Sequence, residues 1–297
     1  MFYSPSTEEV VATLRAADAL ASVPWAEPLL GHTADTVNNL RIRLDDRTAG
    51  RPVRDNERGL LFELRYAEAL HHAAARAEYE VNSGVGDTTV DFCVLSEPTW
   101  LVELVGLRAS EAVQAATNGN GVFASLVLSS PQPNATLAEQ IQSEEAEIIK
   151  AQERIGEKAF RNGAPVKFPK PAGKIHMIMV DARGFIGIGG DRFDWCHIAS
   201  GPNGLPDEAI RSWPNPMSGV NDPIAGLFEE RCRGRAAPTI RERIHIIGFV
   251  CEETFEPGEI ASSTFYCFNP HLVSDTVRAA YEAWPLRSPR PQLRRPD

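Results

Sequence analysis

The apolar positions between Glu57 and Arg183 follow first a helical period, then a strand period, then a helical one again. In "ERGLLFELRYAEALHHAAARAE", Leu60, Leu64, Ala67 and His71 recur at three- and four-residue spacing and predict an amphipathic helix. Three strand-like runs follow, "EYEVN", "TTVDFCVL" and "TWLVELVGL", separated by the turn-forming "SGVGD" and "SEPT". The third run is apolar on both faces, as expected of a strand inside a covered sheet. "GVFASLVLSS" reads as an extra strand or a buried helical turn, and "SSPQPNA" breaks the chain. A long helix is then predicted over "LAEQIQSEEAEIIKAQERIGEKAFR", with Ile141, Ile148, Ile155 and Ala159 as its apolar stripe and Gln152 at the stripe's centre. "GKIHMIMVDAR" is the next strand.

The flanks are less regular. Ser6 and Glu9 form a capping box before the helix "VVATLRAADAL". Val23 to Asp55 shows no clear period, and "RLDDRTAGRPVRDNE" reads as a loop. Beyond Arg183, "DPIAGLFEERC" has an Asp cap and Pro at the first helical position, which predicts a helix. "RIHIIGFVCEE" and "EIASSTFYCFN" read as a strand pair, and "LVSDTVRAAYEAW" as a closing helix. No repeat or linker interrupts the chain. The expectation is one α/β domain over residues 1–285: a mixed central sheet flanked by helices, with its core at 57–183, a C-terminal extension at 184–285, and a Pro- and Arg-rich disordered tail at 286–297.

Three acids stand in the middle of these apolar segments: Glu63 on the stripe of the first core helix, Asp91 in the second strand and Glu103 in the third. An ionised carboxylate is costly to bury without a partner. Alternation puts Glu103 on a face with Leu101 and Val105, and Asp91 with Thr89 and Cys93, so pairing of the two strands would bring the acids together. Two such charges in a low-dielectric place repel; one must take a proton, or a cation must sit between them. Oxygen donors favour Mg²⁺ or Mn²⁺, with Glu63 as a third donor. The competing reading pairs each acid with an arginine such as Arg65 or Arg108.

The order helix–strand–strand–strand–helix–strand, with Asp91 on the second strand and Glu103 on the third, resembles the PD-(D/E)XK nuclease superfamily, the restriction-endonuclease-like fold. The resemblance covers Glu57 to Arg183, and Glu63 matches the acid many members carry in the first helix. It implies an αβββαβ core in which the acids hold a metal that activates water for attack on a phosphodiester. The family's lysine, two residues after the Glu, is Val105 here, and no Pro immediately precedes Asp91. The missing role then falls to Lys150, Gln152, Lys158 or Arg108. At 100° per residue the helix turns Gln152 toward the sheet, leaves Lys158 at the stripe's edge and points Lys150 away.

Three functional expectations result. One is a magnesium-dependent nuclease acting on nucleic acid, DNA first, with Asp91, Glu103 and Glu63 as metal ligands and Gln152 or Lys158 replacing the lysine. Another is a non-catalytic interaction protein that keeps the fold and meets a protein partner through its C-terminal extension. An unrelated α/β enzyme for a small substrate is a third.

Charge and composition narrow this further. A net charge of −10 over 297 residues argues against a protein that simply coats nucleic acid. The basic residues are nevertheless clustered, at Lys150, Arg154, Lys158, Arg161, Lys167, Lys170 and Lys174, and again at Arg231, Arg233, Arg235, Arg241 and Arg243. Five scattered cysteines without a CxxC pair suggest reduced thiols in a cytoplasm, not a disulfide framework or zinc ribbon. No apolar run is long enough to span a membrane, and no signal-like leader opens the chain. "GFIGIGG" reads as a turn, "DRFDWCHIA" as a surface turn, and His71 as a core or boundary histidine.

Overall fold

The computed structural model describes residues 2–3, 5–45, 53–54, 57–108, 144–187, 190–202, 214–215 and 220–288. Its first helix, α1 (Thr7–Leu20), is capped by Ser6, whose Oγ accepts a hydrogen bond from Glu9 N at 3.1 Å. The stretch without a clear period forms a second helix, α2 (Glu27–Asp45). Half of its buried face is polar: Thr33, Thr36 and Asn39 lie beside Leu29, Val37 and Leu40. Thr33 Oγ1 donates back to Leu29 O at 2.8 Å, so its hydroxyl is satisfied inside the helix and can be buried without breaking an apolar stripe visibly. The expected core helix is α3 (Arg58–His72). Its buried arc is wider than the four-residue stripe and takes in Leu61, Phe62, Tyr66 and Ala69, whereas His71 is exposed.

Six strands make one sheet: β1 (Ala77–Asn82), β2 (Thr89–Val94), β3 (Trp100–Gly106), β4 (Ile175–Asp181), β5 (Ile246–Val250) and β6 (Thr264–Phe268), in the order β6-β5-β4-β3-β2-β1. β1, β2 and β3 form an antiparallel meander, β3, β4 and β5 run parallel, and β6 returns antiparallel to β5. Parallel neighbours require crossovers. Helix α4 (Glu144–Gly156) lies between β3 and β4 in the chain; α5 (Arg192–Ser200) and α6 (Ala237–Arg243) lie between β4 and β5. Residues 184–285 are therefore not an appendage to a finished core, because they supply two of the six strands. A short helix, α7 (Glu259–Ser263), occupies the start of the last predicted strand, and α8 (Asp275–Glu282) follows β6.

The sheet divides the interior into two cores. Phe92, Val94, Trp100, Val102, Met177 and Met179 face a cluster that includes α1, α2, α3 and α8. Leu101, Val105, Ile178, Val180, Ile247 and Phe249 pack under Ile148, Ala151 and Ile155 of α4, Ile198 of α5 and Ile240 of α6. Every residue of β4 is buried, as a strand covered on both faces must be.

Several expectations are corrected. "DPIAGLFEERC" forms no helix; Val220–Pro223 pairs with Pro214–Asn215 and turns follow. Gly226 in that stretch sits so close to Gly201 that a Cβ on it would stand 2.0 Å from Gly201 N. "DRFDWCHIA" is helix α5, with Asp191 and Asp194 forming a reciprocal cap. "GFIGIGG", read as a turn, does begin in a 3₁₀ turn, Ala182–Gly187. Leu286 and Ser288 of the expected disordered tail are buried: the Tyr266 hydroxyl donates to Leu286 O at 2.6 Å, and neighbouring Trp284 lies 4.4 Å from Trp100, ring to ring. "GVFASLVLSS", the first part of the predicted long helix with Ile141, and the end of the tail lie outside the described residues. Among the described residues no helix is long and apolar enough to cross a membrane.

Candidate functional site

Regular alternation fails at one place in the meander. Val90 packs into the core under α4 and Phe92 into the opposite core, although residues two apart share a face in a regular strand. On the neighbouring strand Val81 and Tyr79 divide in the same way. The break falls at Asp91 and at Glu80, its opposite residue in the Tyr79↔Phe92, Val81↔Val90 register, and Glu80 adopts a φ of 51°. Left-handed backbone at a non-glycine residue is uncommon and costs energy.

On its other side β2 parts from β3 at the same residue. The ladder ends at Phe92↔Val102, and one further step would place Asp91 opposite Glu103. In place of that pair, Asp91 Oδ2 accepts a hydrogen bond from Leu104 N at 2.6 Å. The carboxylate thus takes over a backbone donor that the diverging strands would leave unpaired.

Glu103 has no exposed surface, and Lys158 Nζ and Lys167 Nζ each lie 2.7 Å from its Oε1. Its Oε2 is buried without a hydrogen-bond partner. Burial, and then the charge of Asp91, push the Glu103 carboxyl up to about 7 against the pull of the two lysines. Burial works to lower Lys158, but Glu103 and Asp91 outweigh it and hold its ammonium above the usual lysine range. Lys158 follows the C-terminus of α4. Lys167 comes from the loop after a small hairpin, Phe160–Arg161 paired with Ala164–Pro165. Its φ is 62°, and its backbone N donates to Thr88 Oγ1 at 3.1 Å.

Glu63 approaches from α3. The Tyr79 hydroxyl donates to its Oε2 at 2.7 Å. Burial and Asp91 push its carboxyl up to about 8, opposed by the Tyr79 hydrogen bond and Lys158. The charge of Asp91 therefore reaches Glu63, Glu103 and Lys158 alike.

Gln152 is not part of this group. It is buried on α4 as expected, but its Nε2 donates to Ile198 O at 3.1 Å and Ala225 O at 2.8 Å, so it ties α4 to α5 and the turn beyond. The apolar stripe of α4 faces both the sheet and α5, and helical geometry alone did not separate the two. Lys150 pairs with Glu147 at 2.7 Å. Arg65 is committed to Glu9 at 3.0 Å and Glu252 at 3.1 Å on the other side of the sheet, and not to the site acids. Lys167 and Tyr79 were missed. The break at Glu80 takes Tyr79 out of regular alternation with Val81, and no local pattern marks Lys167.

The cluster joins three carboxyls to two ammonium groups at a break in the sheet. Such an arrangement can hold an additional cation, bind a phosphate, or shuttle a proton near neutral pH. Among the described residues no three His, Cys, Asp or Glu side chains converge to hold a metal ion. No family model, curated protein or solved structure matches the chain.

Proposed function

We propose that the protein is a nuclease of the restriction-endonuclease-like kind, hydrolysing nucleic-acid phosphodiesters with a divalent metal ion at Asp91 and Glu103. The reading is carried by the two ammonium groups that meet Glu103 Oε1 at 2.7 Å, beside Asp91, where the motif lysine is Val105. Lys158 takes the part of that lysine, and Lys167 adds a second positive charge. The order α3, β1, β2, β3, α4, β4, with β3 and β4 parallel, supports an αβββαβ core.

The donor set suits Mg²⁺ or Mn²⁺. Magnesium is commonly held by one or two carboxylates plus waters and substrate phosphate oxygens, so a triad of protein ligands is not required. Asp91 and the unpartnered Oε2 of Glu103 would hold it. Once bound, the ion would make a water more acidic and neutralise charge on the phosphate. Lys158 and Lys167 hold Glu103 in place and present positive charge where the phosphoryl oxygens gain negative charge. Glu63 keeps its proton near neutral pH through burial and Asp91, so it stands beside the ion as a neutral carboxyl held by Tyr79 and not as a third ligand. From Lys158 to Lys174 the chain carries five basic residues and no acid, and Arg161, Lys170 and Lys174 are exposed. This segment suits contact with a phosphate backbone, DNA first.

One observation favours the second reading, a non-catalytic interaction protein with the same fold. Glu103 is already faced by two lysines, so its charge is balanced without metal. Titration with Mn²⁺, followed by calorimetry and melting temperature, separates the two. The nuclease reading expects binding in the wild type that Asp91→Asn and Glu103→Gln each abolish. Absence of binding in the wild type favours the interaction protein.

A further inference from the structure

Cys196 on α5 and Cys267 on β6 take no part in the carboxylate cluster. Cys267 draws the Cys196 thiol down, and burial and then Cys196 push the Cys267 thiol up. Cys267 Sγ also lies 3.8 Å from the carbonyl oxygen of Trp195, the residue next to Cys196, and α5 packs directly on β6. Both are free thiols and belong to the same apolar core, but they differ in access: Cys196 is half-buried and Cys267 buried. We propose that Cys196 and Cys267 form a reversible disulfide, a modification site that fastens α5 to the edge strand β6 when the protein meets a peroxide.

The chemistry follows from the difference in access. The Cys196 thiolate attacks one peroxide oxygen and the O–O bond breaks, giving a sulfenic acid and, with the thiol proton, one water. The Cys267 sulfur then attacks the Cys196 sulfur; the S–S bond forms and the sulfenic oxygen leaves with the Cys267 proton as a second water. Two thiols are oxidised by two electrons, and one hydrogen peroxide is reduced to two waters. A disulfide needs its Cα atoms within about 7 Å, and the approach of Cys267 Sγ to the carbonyl just before Cys196 draws the two backbones toward that range.

The other thiols are less suited. Hydrogen bonding from Cys267, and then Arg192, draw the Cys196 thiol below the usual cysteine range against the effect of burial. Burial and the charge of Asp181 push the half-buried Cys251 up to about 11. Cys93 and Cys232 are buried, and burial raises both. β6 is the edge strand opposite β1, so the cross-link would form away from Asp91 and its detection does not depend on the activity proposed there.

The test treats the full-length chain with hydrogen peroxide and reads intact mass and non-reducing peptide maps. The expected result is a loss of two hydrogens, a peptide joining Cys196 to Cys267, and reversal by dithiothreitol. Cys251→Ser leaves the cross-link unchanged, and Cys196→Ser, at a half-exposed position that tolerates serine, abolishes it. Cys267→Ser, checked for folding by its melting curve, leaves Cys196 to oxidise on to the sulfinic acid. Wild-type protein in which Cys196 gains two oxygens without that peptide, or in which Cys251 reacts first, overturns the proposal.

Discussion

Lys158 Nζ lies 2.7 Å from Oε1 of Glu103, a carboxylate with no exposed surface; Glu103 is on β3, and Lys158 follows α4 in the crossover from β3 to β4. Removing one partner of a buried ion pair costs roughly 3–5 kcal/mol when nothing else compensates. Here Lys167 remains, so Lys158→Met is expected to cost less, roughly 1–3 kcal/mol. The Glu103 carboxyl, now near 7, should rise further. Carboxyl carbon titration by NMR and urea unfolding check both outcomes. Adding Glu103→Gln to the double Lys158→Met, Lys167→Met variant should recover much of the lost stability, because the amide needs neither a counter-charge nor a proton.

Glu63 gives a pH signature of opposite sense to ordinary acid denaturation. Its carboxyl is raised from 4.5 to about 8 in the folded protein, so below pH 4.5 both states hold the proton and there is no penalty. As pH rises from 4.5 toward 8 the unfolded chain releases its proton first, and stability falls. Glu63→Gln keeps an uncharged side chain beside Tyr79 and removes this dependence. It should raise stability by roughly 1–3 kcal/mol at pH 8 and change little at pH 4. Unfolding curves of the two proteins at both pH values test it; equal effects at the two would contradict the assignment.

A buried histidine pair sets the acid limit. His245 Nδ1 accepts a hydrogen bond from His176 N at 3.0 Å, and His176 Nδ1 faces Arg243 O at 2.8 Å, which makes it the protonated nitrogen. His176 Nε2 is left buried without a partner. A second proton on either ring therefore has no acceptor or breaks an existing bond. Burial holds both rings down from 6.5 to about 4. Between those values the unfolded chain binds more protons, so stability is intact above pH 6.5 and lost as pH falls toward 4. His245→Asn, which retains an acceptor, should flatten that slope in unfolding curves run from pH 7 to pH 4.

Gly201 and Gly226 hold the turn after α5 against the segment before α6. Gly201 has a φ of 66°, and a Cβ there would stand 1.9 Å from Glu229 Oε2 and 2.7 Å from Gly226 N. Gly201→Ala should destabilise by roughly 2–4 kcal/mol, because backbone must move as well as a side chain. A melting temperature unchanged within error would rule out this packing.

The parts of the fold legible in the sequence were those whose burial has one simple period. β2, β3 and β4 announce themselves because both of their faces are covered, and Ile148 and Ile155 mark the inner side of α4. Helix α2 was hidden because Thr33, Thr36 and Asn39 occupy its inner face. The segment around Gly226 carried helix-start residues but is shaped by a contact with Gly201, distant in the chain. Within the candidate site, Asp91 and Glu103 stood out as acids in apolar strands, and Lys158 as a cation at a stripe's edge. Lys167 did not, since its position depends on a left-handed backbone and a hydrogen bond to Thr88. Gln152 was misassigned because its inward face meets α5 rather than the carboxylates.

The most direct test of the account is cleavage. End-labelled single- and double-stranded DNA and RNA are incubated with wild-type protein, Asp91→Asn and Lys158→Met, in Mg²⁺, in Mn²⁺ and in a chelator. The account predicts metal-dependent cutting by the wild type, no cutting by Asp91→Asn, and a loss of at least about 100-fold in Lys158→Met, as expected on removing a group that stabilises transition-state charge. Cutting that survives Asp91→Asn or the chelator, or intact substrates in every wild-type reaction, would contradict it.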